Sequence, residues 1–570
     1  MINKVKIFFS IYTLILCIAA VTAGNAQNVM PYPTPKHEVR AVWLTTIGGL
    51  DWPKNYAQSA ASAEKQKRQL CEILDKLHYG GVNTVLIQTR IRATTIYPSN
   101  IEPWDGCMSG HPGVSPGYDP LAFAIEECHK RGMEIQAWVV TIPVGKWNGH
   151  GCRTIRRNHP SLIYKIGNEG YMRPELDATA KYIAKICGEI TSNYDIDGIH
   201  LDYIRYPEVG KRNVGSAEGR RNITRIVERV HSTVKSIKPW VKLSCSPVGK
   251  HADLARYSSR GWNARTAMWQ DAQAWLRDGL MDELLPMMYF KDNNFYPFAL
   301  DWMENSHGRI IAPGLGVYFL SPSERNWNLC DIKREMYFLR KHGMGHAYFR
   351  SQFFTDNIKG VYDFAANMVD HYPALIPPMT WASISKPLAP KTIELTRGDN
   401  ADKLEWSGAS DLSTGNYLTY NIYRSKAYPV NTADARNIVA VRRKETNIVV
   451  PHKNGDDTYH YAVTAMDRFG NESQPAMSGA PMAEYATAAT LGKLLENDGR
   501  TLTMPATARN VDADYAIIES LTGVMIASQP YNSKSVNISH LPDGMYNIKT
   551  VNKKGVTHKL GCFMIRRKNI

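Results

Sequence analysis

Eight short apolar runs of β type, separated by stretches with helical periodicity, constrain this chain more than any other feature. They are Val39–Thr45, Thr84–Arg90, Glu134–Val140, Gly198–Tyr203, Lys242–Pro247, Glu283–Phe290, Ile310–Phe319 and Gly345–Phe353. Strands alternating with helices bury both faces of a parallel sheet, and eight such units predict a (β/α)8 barrel, an α/β fold. The intervening helices are equally legible. Ala61–Tyr79 carries Leu70, Ile73, Leu74 and Leu77 and stops at Gly80-Gly81; Pro120–Arg131 stops at Gly132. Ala178–Tyr194 places Tyr182, Ile183, Ile186 and Ile190 on one stripe and leads into the fourth run.

That fourth run ends in Gly198-Ile199-His200-Leu201-Asp202-Tyr203-Ile204-Arg205-Tyr206-Pro207. Ile199 and Leu201 alternate with His200 and Asp202, so one face is apolar and the other polar. In a sheet covered on both faces, the polar set belongs inside the barrel near its mouth, where strand ends carry chemistry. Asp202 is therefore the first candidate for a catalytic residue.

At 570 residues the chain holds two to four domains. Met1 to about Ala26 reads as a signal peptide: Lys4 and Lys6, an apolar run from Ile7 to Ala20, and Gly24-Asn25-Ala26 as a cleavage site. The mature protein is expected to be exported, to the periplasm or cell surface. Cys17 lies inside the apolar run after Leu16, which argues against lipidation, and no later stretch is apolar enough to span a membrane. The other cysteines are scattered without metal-like spacing, and an oxidising compartment would permit a Cys107–Cys152 disulfide. The net charge of +15 suits an acidic partner, but Lys and Arg are dispersed and export argues against nucleic acid.

Beyond a Pro-rich linker at 376–389, the pattern from Pro390 to about Met482 is all-β. Leu404-Glu405-Trp406, Leu418–Arg424, Tyr459–Asp467 and the closing Arg468-Phe469-Gly470-Asn471-Glu472-Ser473 resemble a fibronectin type III domain, which implies core roles for Trp406 and Tyr459. The tail, 486–570, alternates over Tyr515–Glu519, Val536–Ile538, Met545–Thr550 and Leu560–Ile565. With Leu541-Pro542-Asp543-Gly544-Met545-Tyr546 it resembles the C-terminal sorting sandwich of type IX secretion, and a plain β-sandwich fits equally.

From about Val39 to Tyr372 the barrel resembles the bacterial glycosyl-hydrolase-like family 10. The residues that carry the likeness are Arg40–Thr45, Asn83-Thr84-Val85, Gln88-Thr89-Arg90, Tyr97–Trp104, Tyr118–Ala122, Ala137-Trp138, the Asp202 strand and Pro286–Tyr289. The resemblance implies cleavage of a bacterial glycan, plausibly the cell-wall strand. The Asp202 strand also resembles the D-x-x-D-x-D-x-E strand of family 18 chitinases, with Asp197, His200, Asp202 and Ile204 on its four positions. Ile204 stands where that family's general acid stands. Gln136 and Val140, and Ile91-Arg92-Ala93-Thr94, depart from the family 10 pattern too, so specificity or activity can have drifted.

Glycoside hydrolysis needs an acid for the leaving oxygen and a carboxylate or substrate amide for the oxocarbenium centre. Glu102, Asp253 and Asp292 each follow a strand, and Glu102, flanked by Tyr97 and Trp104, is the preferred partner of Asp202. Trp43, Trp104, Trp138, Tyr289 and Tyr318 suit sugar stacking, and Gln88, Arg90, His200 and Arg205 suit hydrogen bonding to substrate. Arg90 or Arg205 would alternatively pair with Asp202 and keep it ionised. His200 and Asp202 alone do not make a metal site, and no cofactor is expected. The expectation is a monomeric glycoside hydrolase acting on a polysaccharide or oligosaccharide. Its rival is a glycan-binding protein using the same mouth without cleavage; an enzyme of the sugar's N-acyl group lacks a metal or triad to support it.

Overall fold

The computed structural model describes residues 33–478 and 494–566, apart from 210, 212–213, 412–415, 453–458, 505–507, 509–510, 521–524 and 554–556. The segment read as a signal peptide lies outside the described residues. The chain forms two compact units, one ending at Ser478 and one beginning at Gly479.

In the first unit nine parallel strands form one curled sheet: β1 (Arg40–Leu44), β2 (Thr84–Arg90), β3 (Glu134–Val140), β4 (Gly198–Asp202), β5 (Lys242–Cys245), β6 (Glu283–Leu284), β7 (Ile310–Ile311), β8 (Gly314–Leu315) and β9 (His346–Tyr348). Their order is β7-β6-β5-β4-β3-β2-β1-β9-β8. The ladder's two end strands thus come from one stretch of chain, interrupted at Ala312-Pro313, where proline offers no N–H. With its helices the sheet fits a (β/α)8 barrel whose strand ladder stays open there. The later strands are shorter than their apolar runs imply, because Met288 and Val317 continue the burial in loops and turns.

Side-chain alternation explains the packing. Val42, Leu44, Ile199 and Leu201 face the helices in the outer core, while Ala41, Trp43, Trp138 and Val140 fill the interior. Helix α1 (Ala60–Tyr79) begins with a capping box on Ser59, and α2 (Pro120–Lys130) begins with Asp119 accepting from the Ala122 N–H. Gly132, just past α2, has φ +72°, and an added Cβ would meet the Val441 carbonyl oxygen at 2.6 Å, so only glycine lets the following domain approach there. The long helices α3 (Asp177–Asn193) and α4 (Ser216–Ile237) pack against one another on either side of β4 in sequence.

The all-β segment of this unit has antiparallel sheets of three and four strands. Trp406 lies in its core, but Tyr461 rather than Tyr459 is the wholly buried tyrosine, and its hydroxyl donates to Asp402 at 2.9 Å. The segment docks on the barrel's N-terminal end. Arg442, in the left-handed region at φ +53°, reaches Glu134 at 2.9 Å and Asp197 at 2.6 Å, and Arg468 reaches Asp195 at 2.7 Å. These guanidiniums and His129 hold Asp197 well below the usual carboxylate range against the cost of burial. Removing one partner of a buried pair strands the other charge, so Arg442→Ala should cost on the order of 3 kcal/mol by chemical denaturation.

The second unit forms a four-stranded antiparallel sheet, Met525–Pro530, Tyr515–Ser520, Gly544–Val551 and Thr557–Ile565, beside the pair Thr501–Thr503 and Ser535–Asn537. Ile518, Val536, Ile548 and Phe563 form its core. No described helix is long and apolar enough to cross a membrane.

Candidate active site

Asp202 closes β4 and faces the barrel interior at its mouth. Three donors hold it: Trp138 Nε1–H at 3.0 Å, Ser246 Oγ–H at 3.0 Å and the Tyr203 N–H at 2.7 Å. Burial pushes its pKa up, and the attraction of Arg205 and these donors offsets that only in part. Arg205 thus favours the ionised form of Asp202 but does not cancel the effect of burial. Its Nη2 donates to Glu208 at 2.9 Å and its guanidinium stacks 4.3 Å from the Tyr203 ring, while Nε and Nη1 are buried without a hydrogen-bond partner among the described residues.

Immediately after Asp202 the backbone turns sharply. Tyr203 adopts φ +52°, a left-handed conformation costly for a bulky residue, and leaves its ring 37% exposed. The turn sends Ile204 into the outer core, fully buried. Tyr203, Arg205, Tyr206, Pro207 and Glu208 then line one wall of a cavity of about 320 Å³, with Arg92, Glu169 and Tyr171 opposite. Tyr289, raised in pKa by burial and by the neighbouring Tyr318 and Asp202, meets Tyr318 edge-on at 5.6 Å.

Below Asp202 lies a directional hydrogen-bond chain. Indole nitrogen only donates, so Trp43 Nε1–H gives its proton to His200 Nε2 at 3.2 Å, which leaves His200 Nδ1–H to donate to Ser244 Oγ at 2.9 Å. Ser244 donates to Gln136 Oε1 at 2.6 Å, and Gln136 Nε2 donates to Glu283 Oε2 at 2.7 Å. Burial drives His200 down to about 3 and Glu283 up to about 7. His200 is thus a neutral interior residue rather than a contact for substrate at the mouth.

The two shifts give opposite pH dependences. A folded histidine with a depressed pKa takes up its proton only on unfolding, so its contribution is present above pH 6.5 and lost as pH falls towards 3. A folded carboxyl with a raised pKa binds the extra proton when folded, so stability declines as pH rises from 4.5 to about 7 and is level above. Glu283→Gln should be more stable than wild type at pH 8 by up to about 3 kcal/mol, the difference vanishing near pH 4.5. Denaturant midpoints at the two pH values measure it.

Other expected site residues stand elsewhere. Glu102 does not join Asp202: both its oxygens pair with Arg90 at 2.7 Å, Tyr182 adds a 3.1 Å hydrogen bond, and both side chains of the pair are wholly buried. Arg90 also donates to the carbonyls of Val140 and Thr141, so neither it nor Glu102 has a group left for substrate. Gln88 Oε1 is taken by the Thr46 and Ile47 N–H groups at 3.1 and 2.9 Å. Trp43 and Trp138 are interior hydrogen-bond donors, not open stacking platforms, and Trp104 is half-buried in the loop after β2. Asp253 is exposed and accepts from Ser259, and Asp292 is exposed beyond β6. Cys107 and Cys152 are free thiols. Among the described residues no three His, Cys, Asp or Glu side chains are grouped to hold a metal ion. Sequence reasoning missed Ser246, Gln136 and Glu283 as partners of the interior network and Asp51, which is buried beyond β1 against Arg350.

The curled sheet with its helices fits a (β/α)8 barrel, and part of it is similar in sequence to known proteins. Residues 38–315 match the family Glycosyl hydrolase-like 10. Glycosyl hydrolase YngK of Bacillus subtilis (strain 168) is 27% identical over 500 residues, covering 79% of this chain and 93% of that protein. Glycosyl hydrolase DigH of Escherichia coli (strain K12) is 31% identical over 289 residues, covering 44% of this chain and 65% of that protein, just under two thirds of its length.

Proposed function

We propose that this chain is an exported glycoside hydrolase that cleaves a bacterial glycan, N-acetylated cell-wall strands being the preferred substrate. The observation that carries the reading is the buried, upward-shifted Asp202 at the end of β4, whose next residue, Tyr203, lines a cavity of about 320 Å³. Asp202 holds a proton and gives it to the glycosidic oxygen as the C–O bond breaks. Glu208, kept in place by Arg205, faces the same cavity and stabilises the positive sugar centre; water then adds to that centre and returns a proton to Asp202. Arg205 offers the N–H groups of Nε and Nη1, three in all, to substrate oxygens, and Tyr203 and Tyr289 offer ring faces. The names of YngK and DigH as glycosyl hydrolases support the reading.

The same reading takes the N-terminal segment as a signal peptide, the all-β segment of the first unit as a fibronectin-type module and the tail as a sandwich of sorting or plain accessory type. A second reading, a glycan-binding protein without cleavage, is favoured by one observation, the burial of Ile204 where chitinases keep their acid. Incubation with peptidoglycan, with and without stem peptides, and with chitin-type oligomers separates the two. Soluble reducing fragments support hydrolysis; retention of the glycan with no fragments supports binding alone.

A further inference from the structure

The loop between β5 and α5 (Ala272–Arg277) carries an exposed tryptophan that the site described above does not use. Trp262 is 44% exposed, an unusual setting for so large an apolar ring. It sits at the tip of a turn whose two preceding residues, Arg260 and Gly261, both have positive φ, +56° and +74°. Arg260 is not glycine, so the turn is held against a steric cost.

What holds it is a polar knot around buried Ser259 and Asn263. Ser259, 2% exposed, donates to Asp253 through both its N–H and hydroxyl at 2.5 Å; Asn263 Nδ2 donates to Ser259 Oγ at 2.9 Å, and Asn263 Oδ1 accepts from the Thr266 N–H and hydroxyl at 2.7 Å. The tip is therefore pre-organised. Its loop also packs on the one that leaves Asp202. Gln270 Nε2 donates to the Ile204 carbonyl at 3.2 Å, and the Tyr206 and Trp269 rings meet at 4.7 Å.

The charges carried by this loop are mostly of one sign. Arg256, Arg260 and Arg265 are exposed on the same loop. Of the acidic groups near them, Asp253 is bound to Ser259 and Asp271 lies 3.7 Å from Arg265. Buried Lys250 reaches Asn294 at 2.7 Å.

The geometry points to a distal glycan subsite: Trp262 stacks a sugar several units from the one at Asp202, and the arginines beside it bind carboxylates carried by that glycan. The inference rests on the glycan-acting reading and goes beyond it by assigning a preference for long, acidic chains. A rigid aromatic face with few rotamers to immobilise meets the ring of a pyranose at low entropic cost, and exposed arginines meet carboxylates in paired hydrogen bonds.

The test is binding by the full chain of peptidoglycan glycan strands stripped of stem peptides, which carry free lactyl carboxylates, at two, four and eight sugars, with chitin-type oligomers of equal length as neutral controls. Trp262→Ala should weaken binding of the eight-sugar acidic strand about tenfold and leave the two-sugar strand unchanged. Arg256→Gln with Arg260→Gln should remove the preference for acidic over neutral strands. Circular dichroism and thermal melting confirm that the variants fold. Unchanged affinity for the eight-sugar strand in Trp262→Ala overturns the subsite alone, as does an equal loss at all lengths. No binding of any strand by the wild type overturns both the subsite and the glycan-acting reading.

Discussion

Glu102→Gln is expected to cost on the order of 3–5 kcal/mol of folding stability, because it leaves the Arg90 guanidinium charged and unpaired in the protein interior. Arg90 spends its remaining donors on the ends of β3, at Val140 and Thr141, so the pair ties the loop after β2 to the mouth of the next strand. Replacing both members by apolar residues of similar volume, Arg90→Met with Glu102→Leu, should recover much of the loss while still stranding two carbonyls. Denaturant midpoints with a fragment-release assay decide the role. Loss of stability in Glu102→Gln, with cleavage retained by the folded fraction, fits a clamp. Wild-type stability with abolished cleavage would return Glu102 to the chemistry.

Asp202→Asn is expected to lower glycan cleavage by about a thousandfold or more while changing stability little. General acid catalysis alone contributes on the order of 10²–10⁴, and asparagine cannot give up a proton. The amide oxygen can still accept from Ser246 and the Tyr203 N–H, which share Oδ1, and only the Trp138 hydrogen bond on Oδ2 is lost, so the fold should survive. The wild-type pH profile should fall on its alkaline side, as Asp202 loses its proton through a pKa raised above the usual carboxylate value. A rate that rises with pH across that limb would assign Asp202 to a base.

The strands that could be located from sequence are those whose side-chain alternation has a physical cause visible in the chain. β2 and β3 appear at Thr84–Arg90 and Glu134–Val140, as their unbroken apolar runs imply, since both of their faces are covered. The polar alternation of His200 and Asp202 likewise gave their inward direction. The apolar run through Met287 and Met288 implies a longer β6 than forms: beyond Leu284 only single parallel bridges, from Met287 to Val248 and to Gly314, continue the pairing, and Met288 is buried outside it. Partnerships were far less legible than positions. Arg90 and Glu102 are each plausible for a sugar site when read singly, and only the tertiary fold turns them onto each other. The chain from Trp43 through His200, Ser244 and Gln136 to Glu283 draws one residue from each of five strands, and no periodicity along the sequence encodes it. Residue type points Trp43 and Trp138 to sugar stacking, whereas their N–H groups are needed inside the barrel.

The most direct measurement is product analysis by mass spectrometry on peptidoglycan glycan strands, comparing wild type with Asp202→Asn and recording strand binding by both. The expected result is soluble fragments from the wild type, a thousandfold less from the variant, and similar affinity for the two. Tight binding without fragments from the wild type, or equal fragment release from the variant, would contradict a hydrolase centred on Asp202.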